Sequence, residues 1–61
     1  IRYLNQLRVE KARELLLFEG LSVSTAAFLT GFRDPLYFSR VFKRFFGVSP
    51  EKCRKMGIQG E

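Results

Sequence analysis

The residues best suited to chemistry lie in one short stretch, 34–47, DPLYFSRVFKRFFG. At about 100° per residue, Leu36, Ser39, Arg40 and Lys43 share one helical arc, with Arg44 beside it. That arc is polar and cationic and holds no carboxylate. A solvated helix face usually mixes its charges, because opposite charges at i,i+4 stabilise it. A face with cations alone suits an anionic partner. For a short, rigid helix that partner is the DNA major groove, where side chains reach base edges and cations hold phosphates. Catalysis finds almost no support. The chain has no His. It also has no carboxylate pair at a useful spacing, no glycine-rich phosphate loop and no cluster of metal ligands. No enzyme, metal or other cofactor is expected.

The element that positions this arc carries its own start and stop signals. Asp34 can cap a helix N-terminus, and Pro35 then occupies the first helical position, where its missing N–H costs nothing. Gly47 supplies the left-handed residue that commonly ends a helix. On the opposite arc lie Phe38, Val41, Phe42 and Phe45, a core face. Tyr37 falls on the border, with core packing its default and a phosphate within reach of its hydroxyl as the alternative.

The other elements are read the same way. Residues 1–18 form an amphipathic helix with Ile1, Leu4, Val9, Ala12, Leu15 and Leu16 as the apolar stripe and Arg2, Gln6, Glu10, Arg13 and Glu14 opposite. Arg8 falls within the apolar arc. Its stem packs there, and its guanidinium reaches solvent, a carboxylate or a phosphate. Glu19-Gly20 ends this pattern. Ser22 caps a short uncharged helix from Val23 to about Thr30, containing Ala26, Ala27, Phe28 and Leu29, whose small residues allow close approach of another helix. Gly31-Phe32-Arg33 makes a tight turn with Phe32 tucked into the core. Short helix, glycine turn and basic second helix form a helix-turn-helix arrangement. Ser49 and Pro50 open a last helix running to about Met56, and residues 57–61 form a frayed tail.

A length of 61 residues means one small domain or part of one, marginal on its own, with seven Phe as the compensating apolar payload. The start at Ile1, directly in a helical pattern, points to a piece of a larger protein. The net charge of +5 and pI near 10.0 fit nucleic acid or an anionic surface. The blander alternative is a basic surface that only keeps the domain soluble. One cysteine rules out an internal disulfide, so nothing favours secretion and a cytoplasmic location is expected. No apolar run approaches the roughly 20 residues that span a bilayer.

GFRDPLYFSRVFKRFFGVSPEKCR, residues 31–54, resembles the signature of the AraC/XylS-type transcription regulators. That signature runs Gly-Phe, a polar turn, Tyr-Phe-Ser-Arg, Phe-Lys, Gly, Ser-Pro and Tyr-Arg. YLNQLRVEKARELLL resembles the family's linker helix, and LSVSTAAFLTGF resembles the first helix of its second helix-turn-helix. The resemblance covers nearly all of the chain except the tail. It implies an all-α, homeodomain-like bundle of about four helices: a linker helix at 1–18 and a second helix-turn-helix unit with its closing helix at 19–56. It also implies a first unit upstream, reading a groove segment about one helical turn, roughly 34 Å, away. Dimerisation in such proteins usually lies outside this segment.

The matching positions give Pro35, Leu36, Ser39 and Arg40 as base and backbone contacts and Lys43 as a phosphate contact, while Arg44 and Arg33 are weaker phosphate candidates. Arg40 has an alternative use as an ion-pair partner for Asp34 or Glu51. The chain departs from the family at Pro35 and Leu36, which are often polar, so hydrogen-bonded readout rests on Arg40 nearly alone. Leu36 can make only apolar contact, for example with a thymine methyl. Ala26 replaces a larger aliphatic residue. Cys53 stands where Tyr is usual and reads as a small hydrophobe. The expected partners are double-stranded DNA and, as a second role, RNA polymerase. The competing function is a protein-interaction module whose basic face meets an acidic partner such as a polymerase subunit. A helix lying on a membrane surface is a weaker rival, because capped turns let the apolar faces pack on one another.

Overall fold

Four helices follow one another in the computed structural model, which describes residues 1–56: α1 (Arg2–Phe18), α2 (Val23–Leu29), α3 (Pro35–Phe46) and α4 (Pro50–Met56). The expected frayed tail at 57–61 lies outside the described residues. The caps fall where the sequence puts them. Ser22 Oγ accepts from the Thr25 N–H at 3.2 Å, Asp34 Oδ1 from Leu36 at 3.0 Å, and Ser49 Oγ from Lys52 at 3.2 Å. Each satisfies a donor the helix start leaves orphaned, for about 1 kcal/mol. Gly47 closes α3 at φ 81°, with its N–H donating to the Lys43 carbonyl.

The core draws on every element. Val9, Ala12 and Leu16 come from α1, Ala26 and Ala27 from α2, Phe32 from the turn, Phe38, Val41 and Phe42 from α3, and Cys53 from α4. Phe32, Phe38, Phe42 and Phe46 stack in a tilted series with centroid separations of 5.0, 5.7 and 4.7 Å. Such pairs contribute about 0.5–1.5 kcal/mol each beyond their buried area. Helix α1 packs against each of the other three helices and so forms the spine on which α3 is oriented.

Two expectations about α1 are corrected. Ile1 is 94% exposed and Leu4 is exposed too, so the stripe's first turn does not reach the core. Asn5 is buried in their place. The reason is geometric. The buried positions 5, 9, 12 and 16 repeat at four, three and four, which is one narrow stripe, whereas Ile1 and Leu4 extend past the end and edge of the surface α3 covers. On α2, Ala26 and Ala27 face inward, but Phe28 is 75% exposed and Leu29 is also outside.

The turn between α2 and α3 is tied backward. Thr30 Oγ1 donates to the Ala26 and Ala27 carbonyls at 2.8 and 3.2 Å, and the Phe32 N–H donates to the Ala27 carbonyl at 2.9 Å. Gly31 has φ +98°, a region open to glycine. A Cβ there would also lie 3.3 Å from Arg8 Nε.

Candidate nucleic-acid interface

The burial of Phe38, Val41 and Phe42 fixes the rotation of α3 about its axis. The opposite arc must then face outward. Leu36 is 69% exposed, Pro35, Arg40 and Lys43 are exposed, and Ser39 is half-buried. Arg33 is exposed in the turn immediately before α3. Arg44 is exposed at the edge of α3 nearest the start of α1. The structure thus brings Leu36, Ser39, Arg40 and Lys43 onto one surface, leaves Pro35 exposed at the first position of α3 outside that arc, and sets Arg33 and Arg44 at its borders.

Among the described residues these cations have no ion-pair partner. The ion pair recorded among the described residues is Lys11–Glu14, at 3.7 Å on α1. Arg40 therefore pairs with neither Asp34 nor Glu51, and the Asp34 carboxylate is turned to the Leu36 N–H. The exposed side of α3 presents positive charge that nothing in the described chain neutralises.

Arg8 is half-buried, as its place in the apolar arc implies, and pairs with no carboxylate among the described residues. Its guanidinium lies 5.9 Å from the Phe32 ring centroid, over the ring face, and borders Gly31. Arg13 likewise sits 5.3 Å over Phe46. Cys53 is buried, and burial pushes its thiol above its ordinary range, with Arg13 pulling slightly the other way. Among the described residues no cluster of His, Cys, Asp and Glu could hold a metal, and no helix is long and apolar enough to cross a membrane.

One feature escaped the sequence. A groove of about 640 Å³ lies between the start of α1 and the side of α3, lined by Ile1, Arg2, Asn5, Tyr37, Arg40, Val41, Arg44 and Phe45. Tyr37 bridges its walls, since its hydroxyl accepts from Asn5 Nδ2 at 3.1 Å. Asn5 is polar, so a stripe defined by hydrophobic residues does not include it. Its spacing from Val9, Ala12 and Leu16 was the available signal.

A four-helix core with a capped, outward-facing basic helix after a glycine turn defines the class: a helix-turn-helix domain. A family model described as a helix-turn-helix domain matches residues 1–56. The chain belongs to the AraC-type helix-turn-helix family of DNA-binding transcription regulators. It is 50% identical over 54 residues to the HTH-type transcriptional activator RhaS of Escherichia fergusonii, a match covering 88% of this chain and 19% of that protein. It is 49% identical over 59 residues to the HTH-type transcriptional activator RhaR of Pectobacterium atrosepticum, covering 97% of this chain and 21% of that protein. The chain thus spans about a fifth of the length of the curated relatives it matches. No solved structure matches it.

Proposed function

We propose that this chain is the C-terminal part of the DNA-binding region of a bacterial transcription regulator, and that α3 enters the major groove as its recognition helix. The observation that carries this is the outer arc of α3, cationic, exposed and unpaired with any carboxylate among the described residues. Arg40 reads a base edge, with guanine O6 and N7 its best bidentate match, for about 1–3 kcal/mol of discrimination. Leu36 contacts a thymine methyl. Pro35 and Ser39 lie against the groove wall and backbone, and Lys43, Arg44 and Arg33 hold phosphates.

In this proposal α1 is the linker helix, residues 19–56 are the second helix-turn-helix unit, and a first unit upstream reads the neighbouring groove segment. The domain binds rather than catalyses. The location is the cytoplasm, where a bacterial chromosome lies. The names of its relatives favour activation of transcription, which makes RNA polymerase a second partner for surfaces of the domain that α3 leaves free.

The test is a titration of the full-length protein onto a duplex of about 30 base pairs at several salt concentrations. DNA binding gives log K falling linearly with log salt, by about 0.9 for each phosphate neutralised. A flat dependence, with binding to an acidic protein partner instead, would transfer the basic face to the interaction-module alternative.

A further inference from the structure

The groove beside α3 has a charge pattern the recognition arc does not explain. Three of its lining residues are arginines, Arg2 from α1 and Arg40 and Arg44 from α3, and none of the residues lining it is acidic. All three arginines are exposed, and none is ion-paired among the described residues. The groove's floor is apolar, with Val41 buried and Phe45 half-buried. Tyr37, 48% exposed, also lines it. Because the Tyr37 oxygen already accepts from Asn5, its own O–H proton is free to be donated to another group. Three guanidiniums and a hydroxyl donor on two walls, with no carboxylate among the lining side chains and the Asn5 amide oxygen as a neutral acceptor beside them, describe a cradle for an anion.

Resting on the DNA-binding reading above, we propose that this groove holds a backbone phosphate of the duplex that α3 reads, clamped by Arg2 across from Arg44 with the Tyr37 hydroxyl as a further donor. Arg40 links the two surfaces, since it belongs both to the recognition arc and to the groove lining. A duplex with α3 in its major groove carries its sugar–phosphate strand along the edge of that helix, where the groove opens. A phosphate is the anion already at hand there, whereas an acidic protein segment would have to compete with it. Helix α1 then touches DNA directly, and Arg2 anchors the start of the spine that orients α3.

The experiment uses the full-length protein, a mixed-sequence duplex of about 30 base pairs, and the variants Arg2→Gln and Lys11→Gln. Lys11 lies on the opposite side of α1 from Arg2 and is ion-paired to Glu14. Arg2→Gln lowers the salt slope by about 0.9, so binding is about eightfold weaker at 0.1 M salt and the deficit closes toward 1 M. Lys11→Gln leaves the slope unchanged. On a duplex of the same length carrying the motif that selection enriches, which fixes the register, one methylphosphonate substitution scanned along the backbone abolishes the difference between wild type and Arg2→Gln at a single position. A steep wild-type slope that Arg2→Gln does not alter overturns the clamp and leaves the recognition helix standing. A wild-type slope near zero overturns both. Weaker binding of a poly-glutamate peptide by Arg2→Gln, with DNA binding intact, overturns the phosphate in favour of a protein carboxylate.

Discussion

Asn5 Nδ2 donates to the Tyr37 hydroxyl at 3.1 Å, joining residues 32 apart in sequence and fixing the start of α1 to the first turns of α3. Asn5 is buried beside the apolar stripe, so its amide has been taken from water and needs this partner. Tyr37→Phe is expected to destabilise by about 1 kcal/mol, at the low end for a buried group left unsatisfied, because Tyr37 is half open to solvent. Pairing it with Asn5→Leu replaces both partners, and the double change costs less than the sum of the single ones. Urea denaturation of the four species in a double-mutant cycle measures this coupling.

Asp34 sets the first turn of the proposed recognition helix through its bond to the Leu36 N–H. Asp34→Ala is expected to cost about 0.5–2 kcal/mol and Asp34→Ser far less, since serine restores an acceptor at the cap. Midpoints of chemical denaturation give both values. A loss equal for alanine and serine would mean that the carboxylate acts by charge and not by capping.

Gly31 and Gly47 both have positive φ, 98° and 81°, but only Gly31 has a neighbour where a Cβ would go. Each glycine-to-alanine change is expected to cost about 1–2 kcal/mol for the left-handed backbone. Gly31→Ala costs more than Gly47→Ala, because it also pushes Arg8 off the Phe32 ring. In an Arg8→Ala background the excess disappears. Thermal melts of these variants rank them.

The contrast between Phe38 and Phe28 tests the core assignment. Phe38 is fully buried and joins the aromatic series, so Phe38→Ala is expected to cost about 3–5 kcal/mol, enough to unfold so small a domain. Phe28 is exposed, and Phe28→Ser changes stability by no more than about 0.5 kcal/mol. Circular dichroism at 25 °C separates a folded from an unfolded variant directly.

Cys53 predicts an alkaline effect. Burial favours the neutral thiol, which raises its pKa in the folded state. Its contribution is present below the unfolded-state value and is lost as pH rises through the raised one. Stability measured against pH therefore falls more steeply for the wild type than for Cys53→Ala on the alkaline side.

Much of this was legible in the residues. Asp34, Pro35 and Gly47 announce α3, and Ser22 and Ser49 announce the starts of α2 and α4, because capping is local chemistry. The outward arc of α3 was legible because Phe38, Val41 and Phe42 leave it only one way to face. What the sequence hid depends on contacts between distant residues. Asn5 is buried because Tyr37 comes to meet it, and Arg8 settles on Phe32 because the turn brings that ring beneath it. Arg2 falls on the polar arc of α1, and nothing local shows that Arg40 and Arg44 complete a groove with it.

The central claim is that α3 reads DNA through Arg40, and selection from a random duplex pool tests it most directly. The intact DNA-binding region and its Arg40→Ala version are carried through the same selection at low salt. The expected result is an enriched motif for the first and, for the second, the same motif with information lost at one or two adjacent base pairs. The same motif with every position equally sharp in both proteins would contradict base reading by Arg40 and move the readout to Leu36 and DNA shape. No enrichment with either protein would contradict sequence-specific recognition itself.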